Sequence, residues 1–108
     1  MPLIELIYDP ECPNVPKARE QLLEAFAMLA LPPRWQEWRT DDPKMPDHAQ
    51  GYGSPTILVD GQDLSGSGEI DGTAGCRVYA TAEGLSGVPT VEEIVACIRS
   101  SLGSSVGR

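Results

Sequence analysis

Apolar and polar positions follow two periods along this chain of 108 residues. Leu3-Ile4-Glu5-Leu6-Ile7-Tyr8 is almost continuously apolar, the pattern of a strand covered on both faces. Glu5 interrupts the run and predicts that one face of the sheet is only partly covered. From Val15, apolar residues recur as Ala18, Leu22, Ala25, Phe26 and Leu29, a spacing that predicts a helix to about Ala30. Pro13 and Pro16 fit only its entry and first turn, with Asn14 as N-cap and Pro16 second in the helix. Pro32-Pro33 ends it. Arg34 to Thr40 alternates imperfectly and reads as an edge strand, with Trp35 and Trp38 packing on opposite faces. Asp41 to Gly53 leaves room for at most two helical turns, near Pro46 to Gln50.

In the second half, Asp60-Gly61 separates Thr56–Val59 from Gln62–Leu64, as a two-residue hairpin turn does. Ser65 to Val88 holds six glycines and little periodicity, which inside a compact domain marks a functional loop or disorder. Within it, Cys76-Arg77-Val78-Tyr79 fits a brief strand or a helical turn. Val91, Ile94, Val95, Ile98 and Leu102 form the stripe of a last helix, with Thr90 as N-cap and Glu93 completing a capping box. The expected organisation is one domain over residues 1–102 and a flexible tail over 103–108.

Hydrophobic residues make up 41% of the chain, enough for a globular core. Sixteen acidic residues against eight basic ones give a net charge of −8, which argues against nucleic acid and anionic membranes as partners. No segment reaches the length of a membrane-spanning helix, and the first strand begins without the basic and apolar regions of a signal peptide. A cytoplasmic location is expected. Cysteines at 12, 76 and 97 are an odd number and suggest reduced thiols, not a disulfide framework. Without Cys-x-x-Cys or His-x-x-x-His spacing, zinc is not expected, nor any other cofactor. His48 reads as a solvated helix residue and Cys97 as core.

The chemistry points to Tyr8-Asp9-Pro10-Glu11-Cys12-Pro13-Asn14-Val15-Pro16, where the first strand stops and the first helix begins. A thiol exposed there faces the positive end of the helix dipole, and the N–H groups of Asn14 and Val15 favour the thiolate. Asp9 and Glu11 oppose it, and Pro13 and Pro16 remove two donors. The plain alternative for Cys12 is a small buried hydrophobe. Cys76 reads equally as a partner for Cys12 or as a loop thiol, and Arg77 as a thiolate or carboxylate partner or a surface ion pair.

The element order, βαβ followed by ββα, together with Cys12-Pro13-Asn14-Val15 and Gly53-Ser54-Pro55-Thr56, resembles the thioredoxin-like superfamily. With Cys-Arg-Val-Tyr and Gly-Leu-Ser-Gly-Val-Pro further on, it is similar to a group of small bacterial thioredoxin-like proteins, some carrying an alkylmercury-lyase label. The resemblance implies an α/β fold with a single mixed sheet of about four strands, helices packed on it, and a Gly-rich insertion before the last helix. It also implies a cis Pro55 beside Cys12, with the Ser54 backbone free to pair with an extended thiol substrate. Val15 stands where the family carries its second cysteine, so a dithiol cycle within this motif is excluded. The expected activity is thiol–disulfide exchange or thiol transfer by Cys12, resolved by Cys76 or by an external thiol such as glutathione. One alternative is capture of a soft metal, mercury above all, by Cys12 and Cys76, with Asp9 or Glu11 as proton donor if a carbon–mercury bond is cleaved. Another is a domain used only for association.

Overall fold

Strand β1 (Ile4–Tyr8) is paired on both edges, parallel to β2 (Gln36–Arg39) and antiparallel to β3 (Thr56–Val59). β3 turns back into β4 (Gln62–Asp63), giving a mixed four-stranded sheet of order β2-β1-β3-β4. Helix α1 (Val15–Met28) joins β1 to β2, and helix α2 (Val91–Val106) closes the chain. The fold is therefore mixed α/β. The computed structural model describes residues 2–64, 69–70, 77–81 and 84–106.

Alternation along β1 and β3 sends Ile4, Leu6, Ile57 and Val59 to one face of the sheet. There they bury with Ala18, Leu22, Ala25 and Phe26 of α1 and with Val91, Ile94, Val95 and Ile98 of α2. Trp35 stacks on Phe26 at 5.9 Å between centroids and closes this layer. Ile7 and Leu58 point the other way and bury with Met45 and Ala49, with Trp38 and Tyr52 packed against them. Segment 40–53, with a short 3-10 turn at Asp47–Ala49, thus covers the second face.

Glu5 lies under that cover. The partly open face expected from its position is in fact closed, since Glu5 is only 1% exposed. Its carboxylate accepts the Trp38 indole N–H at 2.9 Å and pairs with His48 Nε2 at 2.9 Å. His48 is therefore not a merely solvated residue: it is the half-exposed partner of a buried acid. A carboxylate withdrawn from water needs such partners, and the covering segment supplies one of them.

The hairpin turn has φ of 53° at Asp60 and 83° at Gly61, as a type I′ turn requires. Asp60 also accepts the Leu3 N–H and the Ser101 hydroxyl, and these hydrogen bonds, the hydroxyl first, hold its carboxyl below the usual range. At α2 the capping box forms in full: Thr90 N–H donates to Glu93 at 2.8 Å and Glu93 N–H to Thr90 Oγ1 at 3.1 Å. Asn14 takes the N-cap position of α1 but its side chain makes no cap hydrogen bond, and Pro16 follows as the second helical residue. α1 ends before Pro32-Pro33, in a Schellman motif in which Leu31 N–H reaches Phe26 O and Ala30 N–H reaches Ala27 O. α2 continues to Val106, so the tail expected from 103 is helical over its first four residues.

The insertion departs furthest from expectation. It carries a second, three-stranded antiparallel sheet, β5 (Glu69–Ile70), β6 (Arg77–Thr81) and β7 (Gly84–Ser86), in that order. The expected single mixed sheet of four strands is present, and the insertion adds this small antiparallel sheet to it. β6 takes up the brief strand that residues 76–79 offered as one reading, whereas β5 and β7, two and three residues long, are too short for periodicity to reveal.

Two consequences are measurable by urea denaturation. His48→Ala leaves the buried Glu5 carboxylate short of a partner and is expected to lower stability by about 1–3 kcal/mol; a loss below about 0.5 kcal/mol would show that the pair is inessential. Ala30 adopts a φ of 56°, where a Cβ is unfavourable, so Ala30→Gly is expected to raise stability by about 0.5–1 kcal/mol. An unchanged or lower midpoint would contradict this.

Candidate functional site: the thiol at the β1–α1 junction

After Tyr8 the chain leaves the sheet through a tight turn. The Asp9 carboxylate accepts the Glu11 N–H at 2.9 Å, and the Asp9 carbonyl accepts the Cys12 N–H at 2.9 Å. Side-chain acceptors of this kind are why Asp is favoured in turns. The turn is tied to the start of β3, because Asp9 N–H donates to Ser54 Oγ at 2.9 Å. Cys12 is thereby brought against Ser54, and its thiol donates to the Ser54 carbonyl with sulfur and oxygen 3.7 Å apart. The Ser54–Pro55 peptide is cis. Thr56 Oγ1 donates to the Gly53 carbonyl at 2.6 Å, fixing the approach to β3 from the other side.

The junction is closed. Cys12 is 4% exposed and Ser54 not at all, where the sequence predicts a presented sulfur and an open Ser54 backbone. The Ser54 carbonyl meets the thiol itself, and the Pro55 carbonyl accepts the Tyr79 hydroxyl from the insertion. Val15 N–H, expected to face the thiolate, donates instead to the Cys12 carbonyl at 3.4 Å. Asn14 lies against Gly87: a Cβ built at Gly87 would overlap the Asn14 carboxamide. Of the acids considered as proton donors, Asp9 is engaged within the turn and Glu11 is exposed.

Arg77 opens β6 opposite Ile70. Its proposed side-chain role lies outside the described residues, as does Cys76, and with it the pairing of Cys76 with Cys12 for catalysis or for metal. Among the described residues no group of three or more His, Cys, Asp or Glu side chains is placed to hold a metal ion. Nor is any described helix long and apolar enough to cross a membrane.

Two features escaped the sequence reading. Arg19 stacks over the Tyr8 ring at 5.1 Å and makes a two-pronged bond to Glu37, at 2.9 and 3.0 Å, which also accepts the Trp35 indole N–H at 3.0 Å. The Arg19 hydrogen bond holds the Glu37 carboxyl below its ordinary range. The network ties α1 to β2 beside the junction; its members lie 18 residues apart, beyond any local pattern. The second is a cavity of about 300 Å³ on the other face of the sheet, lined by residues that include Thr40, Met45, Ala49 and Tyr52 and by none of the Cys12 junction.

Compared with known proteins, the chain matches no family model, no curated protein and no solved structure.

Cys97 stands half-buried at the edge of the main core. Burial, with Asp60 and Asp63 nearby, pushes its thiol above the usual range. The thiol form persists, so nucleophilicity is withheld until the pH passes the ordinary cysteine pKa. Alkylation of Cys97 is expected to stay slow at pH 8 and to rise only at higher pH than for a small free thiol; the rate at its tryptic peptide measures this, and a profile matching the free thiol would contradict it.

Proposed function

We propose that this is a thioredoxin-like thiol protein in which Cys12 is the nucleophile of thiol–disulfide exchange or thiol transfer. The observation that carries the reading is the contact of the Cys12 thiol with the Ser54 carbonyl, across 42 residues of sequence. It joins the strand–helix junction to the Ser-Pro turn that begins β3. The parallel β1–β2 pair with α1 between them, followed by the antiparallel β3–β4 hairpin, supports the thioredoxin-like order.

In this reaction the Cys12 thiolate attacks one sulfur of a disulfide. A bond forms between Cys12 Sγ and that sulfur while the other sulfur leaves as a thiolate and takes up a proton. An external thiol, glutathione being the simplest, then attacks the mixed disulfide, regenerates Cys12 and leaves as a new disulfide. A second external thiol attacks that new disulfide and frees the remaining original sulfur, so two external thiols together pass two electrons to the original disulfide, and no cofactor enters. With Val15 in place of a second cysteine, the resolving thiol must come from outside the Cys12 motif.

Incubation with glutathione disulfide is expected to add one glutathione to the chain, mapped to the Cys12 peptide, and reduced glutathione to remove it. Cys12→Ser abolishes the adduct while keeping the fold, at a cost of no more than about 2 kcal/mol, since the substitution changes one atom of the side chain. An unmodified Cys12, or a Cys12→Ser variant that unfolds, would identify Cys12 as a core residue instead.

A further inference from the structure

We propose that the β6–β7 hairpin of the insertion is a cover latched over the Cys12 junction, with the Tyr79 hydroxyl as the latch. The inference rests on the reading of Cys12 as a working thiol only for its purpose, not for its existence.

Two docking points carry it, and both sit on the same hairpin. On β6, Tyr79 is 3% exposed and its hydroxyl donates to the carbonyl of Pro55, the residue next to the Ser54 that Cys12 touches. Immediately after β7, Gly87 lies so close to Asn14, two residues beyond Cys12, that a Cβ there would overlap the Asn14 carboxamide as it stands. Tyr79 and Ser86 are cross-strand partners, and Ser86 Oγ accepts the Val88 N–H at 3.2 Å, so the two points belong to one local unit. They meet the two segments that the thiol joins: one holds the Ser-Pro turn, the other the start of α1. Val88, buried in the main core, roots the hairpin at the entry to α2. Ser54 and Cys12 lie buried between these points.

Val88 is packed in the main core, and Tyr79, itself buried, docks on Pro55 through its hydroxyl. Parts of a folded protein open locally without global unfolding. Hinged at Val88 and released at Tyr79, the hairpin swings away from the junction and exposes Cys12. In the closed state the cover shields the thiol from macromolecular reagents and oxidants; in the open state a disulfide substrate reaches it.

The test measures alkylation of Cys12 in the full-length protein by iodoacetamide and by a bulky maleimide, read at the Cys12 peptide by mass spectrometry. In the wild type both reagents are expected to label Cys12 far more slowly than in urea, the bulky one most of all. Tyr79→Phe keeps the ring and removes the hydroxyl that bonds Pro55, and is expected to speed labelling roughly fivefold, the population shift that loss of one hydrogen bond produces. Gly87→Val leaves the hydroxyl in place and wedges the hairpin away from Asn14, so it should act in the same direction. Circular dichroism and the melting temperature report that each variant is folded. Wild-type labelling as fast as in urea, or folded variants that label at the wild-type rate, overturns the cover. Faster labelling in variants that still form no glutathione adduct keeps the cover and removes the exchange reading; an adduct without any change of rate does the reverse.

Discussion

β1 has no free side. Both edges are hydrogen-bonded to neighbouring strands and both faces are covered, so each of its residues must be satisfied inside the protein. For Ile4, Leu6 and Ile7 this is ordinary burial. For Glu5 it is a demand that shapes half the molecule, because an acid in the interior is tolerated only with hydrogen-bonding or charged partners. Trp38 on the neighbouring strand gives one and His48 on the covering segment the other. The second face of the sheet is built from this requirement as much as from the apolar contacts of Met45 and Ala49. A buried polar group that is fully satisfied often stabilises no more than hydrocarbon in its place would, so the Glu5–His48 contact is better understood as fixing where segment 40–53 lies.

The same strand aims the chemistry. Because β1 is held in register from both sides, Tyr8 ends at a defined height, and the Asp9 turn delivers Cys12 to the first residue of the Ser54-Pro55-Thr56 corner on the adjacent strand. Arg19, clamped to Glu37 and lying over Tyr8, steadies the helix that follows. The pair is partly exposed and so weak in energy, but its forked geometry restricts orientation more than a single contact does. The thiol's position is thus a product of sheet register, not of the cysteine's own contacts.

How much of this was legible in the sequence follows from the range of each interaction. Helical periodicity over ten or more residues announced α1 and α2, the short apolar run from Leu3 to Tyr8 announced β1, and local chemistry announced the Asp60-Gly61 turn and the Thr90–Glu93 box. The cysteine at the strand–helix junction was visible as a candidate for the same reason. What could not be read is everything joining distant residues: the Glu5–His48 pair, the Arg19–Glu37 clamp and the Tyr79–Pro55 bond span 43, 18 and 24 positions. Glu5 was misjudged because a carboxylate in an apolar run suggests solvent, whereas a buried partner satisfies it equally well. A brief strand over residues 76–79, one of two readings of that stretch, corresponds to β6, but its pairing with the two- and three-residue strands β5 and β7 left no pattern to recognise.

The burial of Cys12 bears on what such a site can be. A thiol that is 4% exposed and hydrogen-bonded to a backbone carbonyl is protected, and protection is also what a structural cysteine needs. The hairpin beside the junction docks at Pro55 through the hydroxyl of a buried Tyr79 and meets Asn14 at Gly87. Apolar packing is costly to undo, whereas a hydrogen bond returned to solvent loses little net energy. The Tyr79 contact combines the two, a buried ring and a hydroxyl bond, and it comes from the three-stranded sheet of the insertion, not from the four-stranded sheet that carries Ser54 and Cys12 at its end.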